Sequence, residues 1–558
     1  MLPERRTSTL WHTTGTQRRW TSDGHHDEPR GLLMRFARVL LPAVLFLTLG
    51  PLAFAAPQHR ETTTVEVVQV PVYVTSAGAT VRGLTRDDFT LRVNGRTQKI
   101  DYFDVVDFAS LSAEQTRDPR QRRLYVLTFD LANAAPFSMQ RAKLAAEQYL
   151  TAAQPSDYFA VALLNRDDDV EFIVPFTRDQ AALRRAVASF SAASPNDPLR
   201  LTISPGERMA LINDDASEIR DLQRAGAGIA AELVAEAARR RVDDQFEALG
   251  QLAERLAPME GYKHVVLLSK GFSSFLLLNG AHPPTDGPRS GPMEQLTASH
   301  GTRQFDYRGF DSRIVQSQFR MQKEFASAGV FLDAIDIGGL RASGRAFNEA
   351  LHVTVADTGG QVVEDRNDLK AALQQLTDSQ QVVYVLGFHA PDTGRKQNDI
   401  AVKVNGAPRG SYVSYRESYS SIADKPSTND ALRLADIVTN DIPQNGITMT
   451  TAVATAPKKA TVKIALPGRE LLALASDDLN VKGQALIYVF AGQTSVSFAQ
   501  KDIDVDVTRA RAGGLDGGNV EMSQSFDLLP GTYAMKVLVR LDGHDTLAFA
   551  REDFTVGE

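Results

Sequence analysis

The chain has no cysteine among its 558 residues. That absence excludes disulfides, thiolate metal sites, a cysteine nucleophile and a lipid-modified cysteine anchor together. Positive charge is not in excess either: 61 Lys and Arg stand against 68 Asp and Glu, a formal net charge of -7. The body of the chain shows no clustered basic surface of the kind that neutralises phosphates, so nucleic acid is excluded as the principal partner. There is no phosphate-loop motif, no paired-histidine zinc motif and no strand-to-helix serine of the hydrolase type. Gly226-Ala227-Gly228-Ile229-Ala230-Ala231 fits a dinucleotide pattern only superficially, because it follows no strand and lies inside a helical stretch.

No apolar run has the length of a bilayer-spanning helix. The closest, Val39 to Phe54, is broken by Pro42 and Pro51. With Arg35 and Arg38 before it and Ala53-Phe54-Ala55 closing it, the segment 34–55 reads as a secretory signal cleaved before Ala56, with an uncleaved anchor as the alternative. Met34 is the expected start, and residues 1–33, without periodicity, read as a spurious or disordered extension. Export without cysteine suits a bacterial periplasm, a cell surface or secretion. What is present in quantity is apolar residues, 43% of a chain too long for one core, so two or three packed domains are expected.

The first, 62–108, alternates as small β structure and carries the Asn94-Gly95 turn, whose two positions favour positive φ. From 120 to 420 strands alternate with helices. Strands are predicted at Leu124–Asp130, Phe159–Leu164, Val170–Phe176, His264–Ser269, Val330–Ile335 and Val382–Phe388. Thr177 with Gln180, and Asn367, read as helix N-caps. Such alternation implies a mainly parallel sheet with helices on both faces. Two inserts interrupt it, near 200–257 (helical) and 279–310 (rich in Gly, Pro, Ser and His). The last section, 440–558, shows short β runs without intervening helices and is expected to form an immunoglobulin-like β-sandwich.

Asp130 ends the apolar strand Leu124–Asp130 and stands before a polar turn. Ligands of parallel sheets gather at the carboxyl ends of strands, so this carboxylate is the leading candidate for function.

The run Leu252 to Phe272, with Gly261-Tyr262-Lys263 and His264-Val265-Val266-Leu267-Leu268-Ser269-Lys270-Gly271-Phe272, resembles the helix, turn and strand before the metal site of von Willebrand factor type A (VWA) domains. More narrowly, the chain resembles the exported bacterial VWFA-related proteins common among acidobacteria. Gly83-Leu84-Thr85-Arg86-Asp87-Asp88-Phe89, Phe331-Leu332-Asp333-Ala334-Ile335-Asp336, Ala356-Asp357-Thr358-Gly359-Gly360 and Tyr384-Val385-Leu386-Gly387-Phe388 agree, so the likeness covers roughly Val65 to Tyr419. It implies a Rossmann-like VWA domain and a metal-ion-dependent adhesion site: an Asp-x-Ser-x-Ser motif, a later threonine and a second aspartate hold a divalent cation, completed by a partner's carboxylate. Here that motif reads Asp130-Leu131-Ala132-Asn133-Ala134, and Lys270 stands at the second acid. Loss of two hydroxyls and gain of an ammonium weaken a hard-cation site, so the site reads as degenerate.

The expectation is that Lys270 takes the cation's place beside Asp130, with Asn133 as a turn residue; the alternative is that Asp130 caps the following helix while Lys270 meets solvent. Other acids and histidines weigh less. Asp167 to Asp169 read as a hairpin tip, and Asp333 and Asp336 point to opposite faces of one strand. His282 and His300 lie in the long loop; Asp502, Asp504 and Asp506 form a solvated strand face.

The leading function is thus an exported non-enzymatic module that binds another protein of the envelope or exterior through Asp130, Asn133 and Lys270. No catalytic or metal residue, cofactor or nucleic acid is expected. A metal-dependent (Mg or Mn) adhesion protein and a cell-envelope hydrolase are the alternatives.

Overall fold

The computed structural model describes residues 67–558 except 134–135, 152–153, 155, 166–169, 191–227, 273, 278–309, 341–347, 365, 391–396, 421–430, 475–479 and 545. The signal segment 34–55, the extension 1–33, the tip Asp167–Asp169 and the loop histidines His282 and His300 lie outside the described residues.

The first section holds β1 (Val67–Ser76), β2 (Ala79–Thr80), β3 (Phe89–Val93), β4 (Arg96–Gln98) and β5 (Tyr102–Asp107). Asn94 and Gly95, both at positive φ, make the turn between β3 and β4 as their residue types require. The α/β section runs β6 (Arg123–Asp130), α1 (Pro136–Leu150), β7 (Asp157–Leu164), β8 (Val170–Thr177), α2 (Gln180–Ser189), α3 (Gly228–Leu256), β9 (Tyr262–Ser269), α4 (Ser312–Ala328), β10 (Val330–Asp336), α5 (Glu349–Val355), β11 (Val362–Val363) and α6 (Leu369–Ser379). After it come β12 (Val382–His389), β13 (Gln397–Val404), β14 (Tyr412–Tyr415), β15 (Ser418–Ser420) and α7 (Ala431–Asn440).

The six-stranded sheet has the order β11-β10-β9-β6-β7-β8, parallel except for the edge strand β8. Strands β6, β7 and β10 are buried on both faces, which explains their continuous apolar runs. Met139, Leu183 and Leu373 of α1, α2 and α6 cover one face; Leu249, Phe325 and Leu351 of α3, α4 and α5 cover the other.

Strand pairing corrects two expectations. Section 62–108 is not a unit of its own, and Val382–Phe388 is not in the α/β sheet. β12 lies between β1 and β5, antiparallel to both, and β13 lies beside β3. Strands before and after the α/β section thus build one pair of sheets, β14-β1-β12-β5 and β15-β13-β3-β4, around Val70, Leu91, Tyr384 and Phe388. The α/β section is threaded into a β unit. An apolar seven-residue run has the same pattern in either sheet, so periodicity alone could not assign it.

Two caps also differ. Asp179 starts α2, its carboxylate accepting from the Ala181 and Ala182 amides, while Thr177 ends β8. Asp368 starts α6; Asn367 instead accepts from the Leu340 amide.

The last section has β16 (Thr450–Ala456), β17 (Lys459–Pro467), β18 (Asn480–Ala491), β19 (Thr494–Asp506), β20 (Asn519–Asp527), β21 (Gly531–Leu541) and β22 (Leu547–Val556) in antiparallel sheets β16-β17-β20 and β19-β18-β21-β22. Val462, Ile487 and Val537 lie in the core between them. Short helices at Gly468–Leu474 and Val507–Ala512 interrupt the strands, contrary to the helix-free expectation. Asp502, Asp504 and Asp506 do lie exposed, alternating with buried Ile503 and Val505. Among the described residues no helix is long and apolar enough to cross a membrane.

Candidate functional site

Parallel register brings three strand ends together. Asp336 is paired with Ser269, and Phe129 with Leu268, so Asp130, Ser269 and Asp336 close three neighbouring strands side by side. Asp130 is 0% exposed. One of its carboxylate oxygens accepts from the backbone amides of Ala132 and Asn133, each at 3.0 Å. The other accepts from Asn133 Nδ2 at 3.0 Å and Ser269 Oγ at 2.5 Å. Burial pushes the carboxyl's pKa up, against these four bonds, which pull it down.

A carboxylate offers about four acceptor positions, and four protein donors occupy them here. A divalent cation at this oxygen pair would have to displace a donor, so the group implied by the resemblance does not fit the residues present. Lys270 is not among the partners of Asp130, which corrects the expected pairing. The Lys270 side chain instead lies against Gly338, where a Cβ would meet Lys270 Cγ at 3.4 Å and Asp336 Oδ1 at 2.9 Å. The Lys270 carbonyl accepts from Asn348 Nδ2 at 2.9 Å, and that amide also donates to Asp336 at 3.0 Å. Lys270 thus belongs to the Asp336 side of the rim.

Asn133 is more than a turn residue. Its Nδ2 also donates to Gln245 Oε1 on α3, tying the Asp130 turn to a buried helix face. Sequence reasoning missed Gln245 and Ser269. The signal for Ser269 was available only through register, since its partner lies 139 residues away. Beside this rim Phe137 on α1 is 74% exposed and Leu340, just past β10, is 59% exposed. Arg141 lies between them, one helical turn from Phe137, and donates to the Asn367 carbonyl at 2.9 Å.

A second polar constellation was also missed. His264 in β9 places Nδ1 3.1 Å from Asp333 and Nε2 3.0 Å from the Tyr73 hydroxyl. A carboxylate only accepts, so Nδ1 carries the proton and Nε2 accepts from Tyr73, whose pKa burial raises well above the phenol's usual value. Asp333 also accepts from Gln380 Nε2 at 2.9 Å and the Gln361 amide at 3.0 Å; Gln380 in turn accepts from Tyr125. The arrangement looks like an acid–base relay. Tyr73, His264 and Asp333 are at most 1% exposed, and the relay bonds the β unit to the α/β sheet.

No family model matches the chain, and no curated protein does. Solved structures do. BatB from Bacteroides thetaiotaomicron is 10% identical, covering 47% of this chain and 99% of its own at a TM-score of 0.23. The vWF domain of the type V pili tip protein Mfa5 from Porphyromonas gingivalis is 10% identical, covering 46% and 94% at 0.25. The ArnB paralog VWA2 from Sulfolobus acidocaldarius is 11% identical, covering 88% and 76% at 0.20. Several of the solved structures it resembles are VWA-domain proteins. At such TM-scores these likenesses are a record of similarity; the fold rests on the strand order above.

The motifs of the family likeness are spread over the rim, the β unit and the joint between the β unit and the α/β section: Ser269, Lys270 and Asp336 lie at the rim, Leu84 and Tyr384 in the β unit, and Gly359 and Gly360 at the joint. The Leu84 amide donates to the Tyr384 hydroxyl, which donates to the Val81 carbonyl. Gly359 and Gly360 let β14 and β10 approach: a Cβ on Gly359 would lie 2.5 Å from the Tyr415 carbonyl oxygen, and one on Gly360 1.9 Å from that of Leu332. Ser414 Oγ then donates to the Gly359 carbonyl, and the Tyr412 hydroxyl to that of Gly360.

Proposed function

We propose that the chain is an exported, non-enzymatic protein-recognition module of VWA type with a degenerate adhesion site, whose rim works without a cation. The observation that carries this reading is the saturation of Asp130: Ser269, Asn133 and two backbone amides satisfy the carboxylate that would otherwise ligate metal. Held this way, Asp130 fixes the rim's shape, and the surface beside it supplies the contacts. Exposed Phe137 and Leu340 flank Arg141, the mixture of apolar and arginine side chains from which interface centres are built. The signal-like segment 34–55 supports export to the periplasm, cell surface or exterior, and the partner is then a protein met there. The enclosure of the His264 relay supports a non-enzymatic role. The two C-terminal sheets fit an immunoglobulin-like sandwich that presents the module.

The test is affinity capture from envelope extract with the mature chain as bait. Capture should survive EDTA and fall at least tenfold with Phe137→Asp or Leu340→Asp. Loss of capture in EDTA, or full capture by both rim variants, would overturn the reading.

A further inference from the structure

Away from the rim, the chain carries a chemically labile pair that the fold leaves unguarded. An asparagine followed by glycine can react with its own backbone: the glycine nitrogen closes on the asparagine side-chain carbon, unhindered by any Cβ on the second residue. The sequence has four such pairs, beginning at Asn94, Asn279, Asn405 and Asn445, and Asn279 lies outside the described residues. Two of the other three are held. Asn94 Oδ1 accepts from the Asp399 amide at 3.0 Å and its Nδ2 donates to Asn398 Oδ1 at 2.8 Å, so the side chain reaches Gly95 only by losing both bonds. At Asn445 the nucleophile itself is engaged: the Gly446 amide donates to the Leu547 carbonyl at 2.9 Å, beside the bridge from Asn445 to Ala548. Local opening must precede attack at both, as it must for amide exchange.

Asn405 and Gly406 lack both restraints. They follow β13 directly and are exposed. Among the described residues no hydrogen bond holds the Asn405 side chain or the Gly406 amide; the bond from the Asn405 amide to the Asp88 carbonyl, at 2.8 Å, leaves the reacting atoms untouched. Glycine is nevertheless required at 406, because a Cβ there would run into the Asp88 carboxylate. That carboxylate is itself fixed, its other oxygen accepting from the Thr85 amide at 2.7 Å and the Thr85 hydroxyl at 2.9 Å. The packing thus demands the residue that makes its predecessor reactive.

We infer that Asn405 is a self-modification site, converting to aspartyl and isoaspartyl residues with water as the co-reactant. The Gly406 nitrogen gives its proton to solvent and bonds to Asn405 Cγ, the Cγ–Nδ2 bond breaks and ammonia leaves, and water then opens the five-membered imide at either carbonyl. The sequence is redox-neutral: an amide and water become a carboxylate and ammonium. The product sets a second negative charge beside Asp88 and, in the isoaspartyl form, adds a methylene to the main chain ahead of Gly406. Both changes fall where β13 meets the turn 85–88, since Val404 is paired with Phe89. Like charges in contact repel, and a lengthened main chain carries Gly406 off the Asp88 carboxylate. Modification therefore loosens this end of the β3–β13 pairing.

The test is peptide mapping by mass spectrometry on the full chain aged in mildly alkaline buffer, folded and in guanidinium chloride, where each conversion adds about 1 Da. In the folded chain Asn405 should convert at least about fivefold faster than Asn94 or Asn445, the factor that one retained hydrogen bond represents. In guanidinium the three rates should converge, because all three are followed by glycine. Asn405→Gln, which would need a six-membered ring, should block the mass gain at this position. Hydrogen exchange supplies the second readout: ageing should remove protection from segment 85–90 in the wild type and leave it intact in Asn405→Gln. Folded-state conversion at Asn405 no faster than at the other two, a ranking that survives unfolding, or equal loss of protection in the variant would overturn the assignment.

Discussion

At the scale of single residues, the account turns on a hydroxyl. The run Asp130-Leu131-Ala132-Asn133-Ala134 carries no hydroxyl, yet Ser269 supplies one from the neighbouring strand and bonds Asp130 at 2.5 Å. Removing that donor leaves a buried carboxylate short of a partner, which costs about 1–3 kcal/mol. Ser269→Ala should lower the urea midpoint accordingly without changing the slope of the transition. Gly360 is a stricter constraint, since any Cβ there meets the Leu332 carbonyl. Gly360→Ala should cost about 3 kcal/mol or more, read as a lower midpoint or a loss of soluble protein. Asp130 was legible from its position at the end of an apolar strand. Ser269, Gln245 and the His264–Asp333 contact were not, because each needs the register of strands or helices far apart in sequence.

At the scale of elements, α7 shows what short segments conceal. The region after Ser420 reads as a polar connection, yet Leu432, Leu434, Ile437 and Val438 are buried faces of a ten-residue helix. Asp436 on that helix makes a buried bidentate pair with Arg122, at 2.9 and 2.5 Å. Loss of one member strands the other charge, at about 3–5 kcal/mol, whereas apolar replacement of both is close to neutral. Asp436→Ala should therefore destabilise far more than the double variant Arg122→Met with Asp436→Leu in chemical denaturation. The parallel strands β6, β7, β9 and β10 were legible because burial on both faces leaves continuous apolar runs. Strand β12 has a similar run and a different home, and only its antiparallel partners β1 and β5 reveal it.

At the scale of the whole molecule, the α/β section is an insertion into a two-sheet β unit, and Gly359 and Gly360 let the two meet at the joint between them. This makes 120–420 an incomplete piece. A fragment of residues 120–420 leaves β12 and β13 without β1, β5 and β3, and should be insoluble or molten by circular dichroism; residues 64–420 should fold cooperatively. The central claim is that the rim's carboxylate is satisfied by the protein and takes no cation. Isothermal titration of the mature chain with Mg²⁺ and then Mn²⁺ tests it most directly. The account predicts only heats of dilution up to millimolar ion; a saturable one-site isotherm that Asp130→Ala abolishes would contradict it.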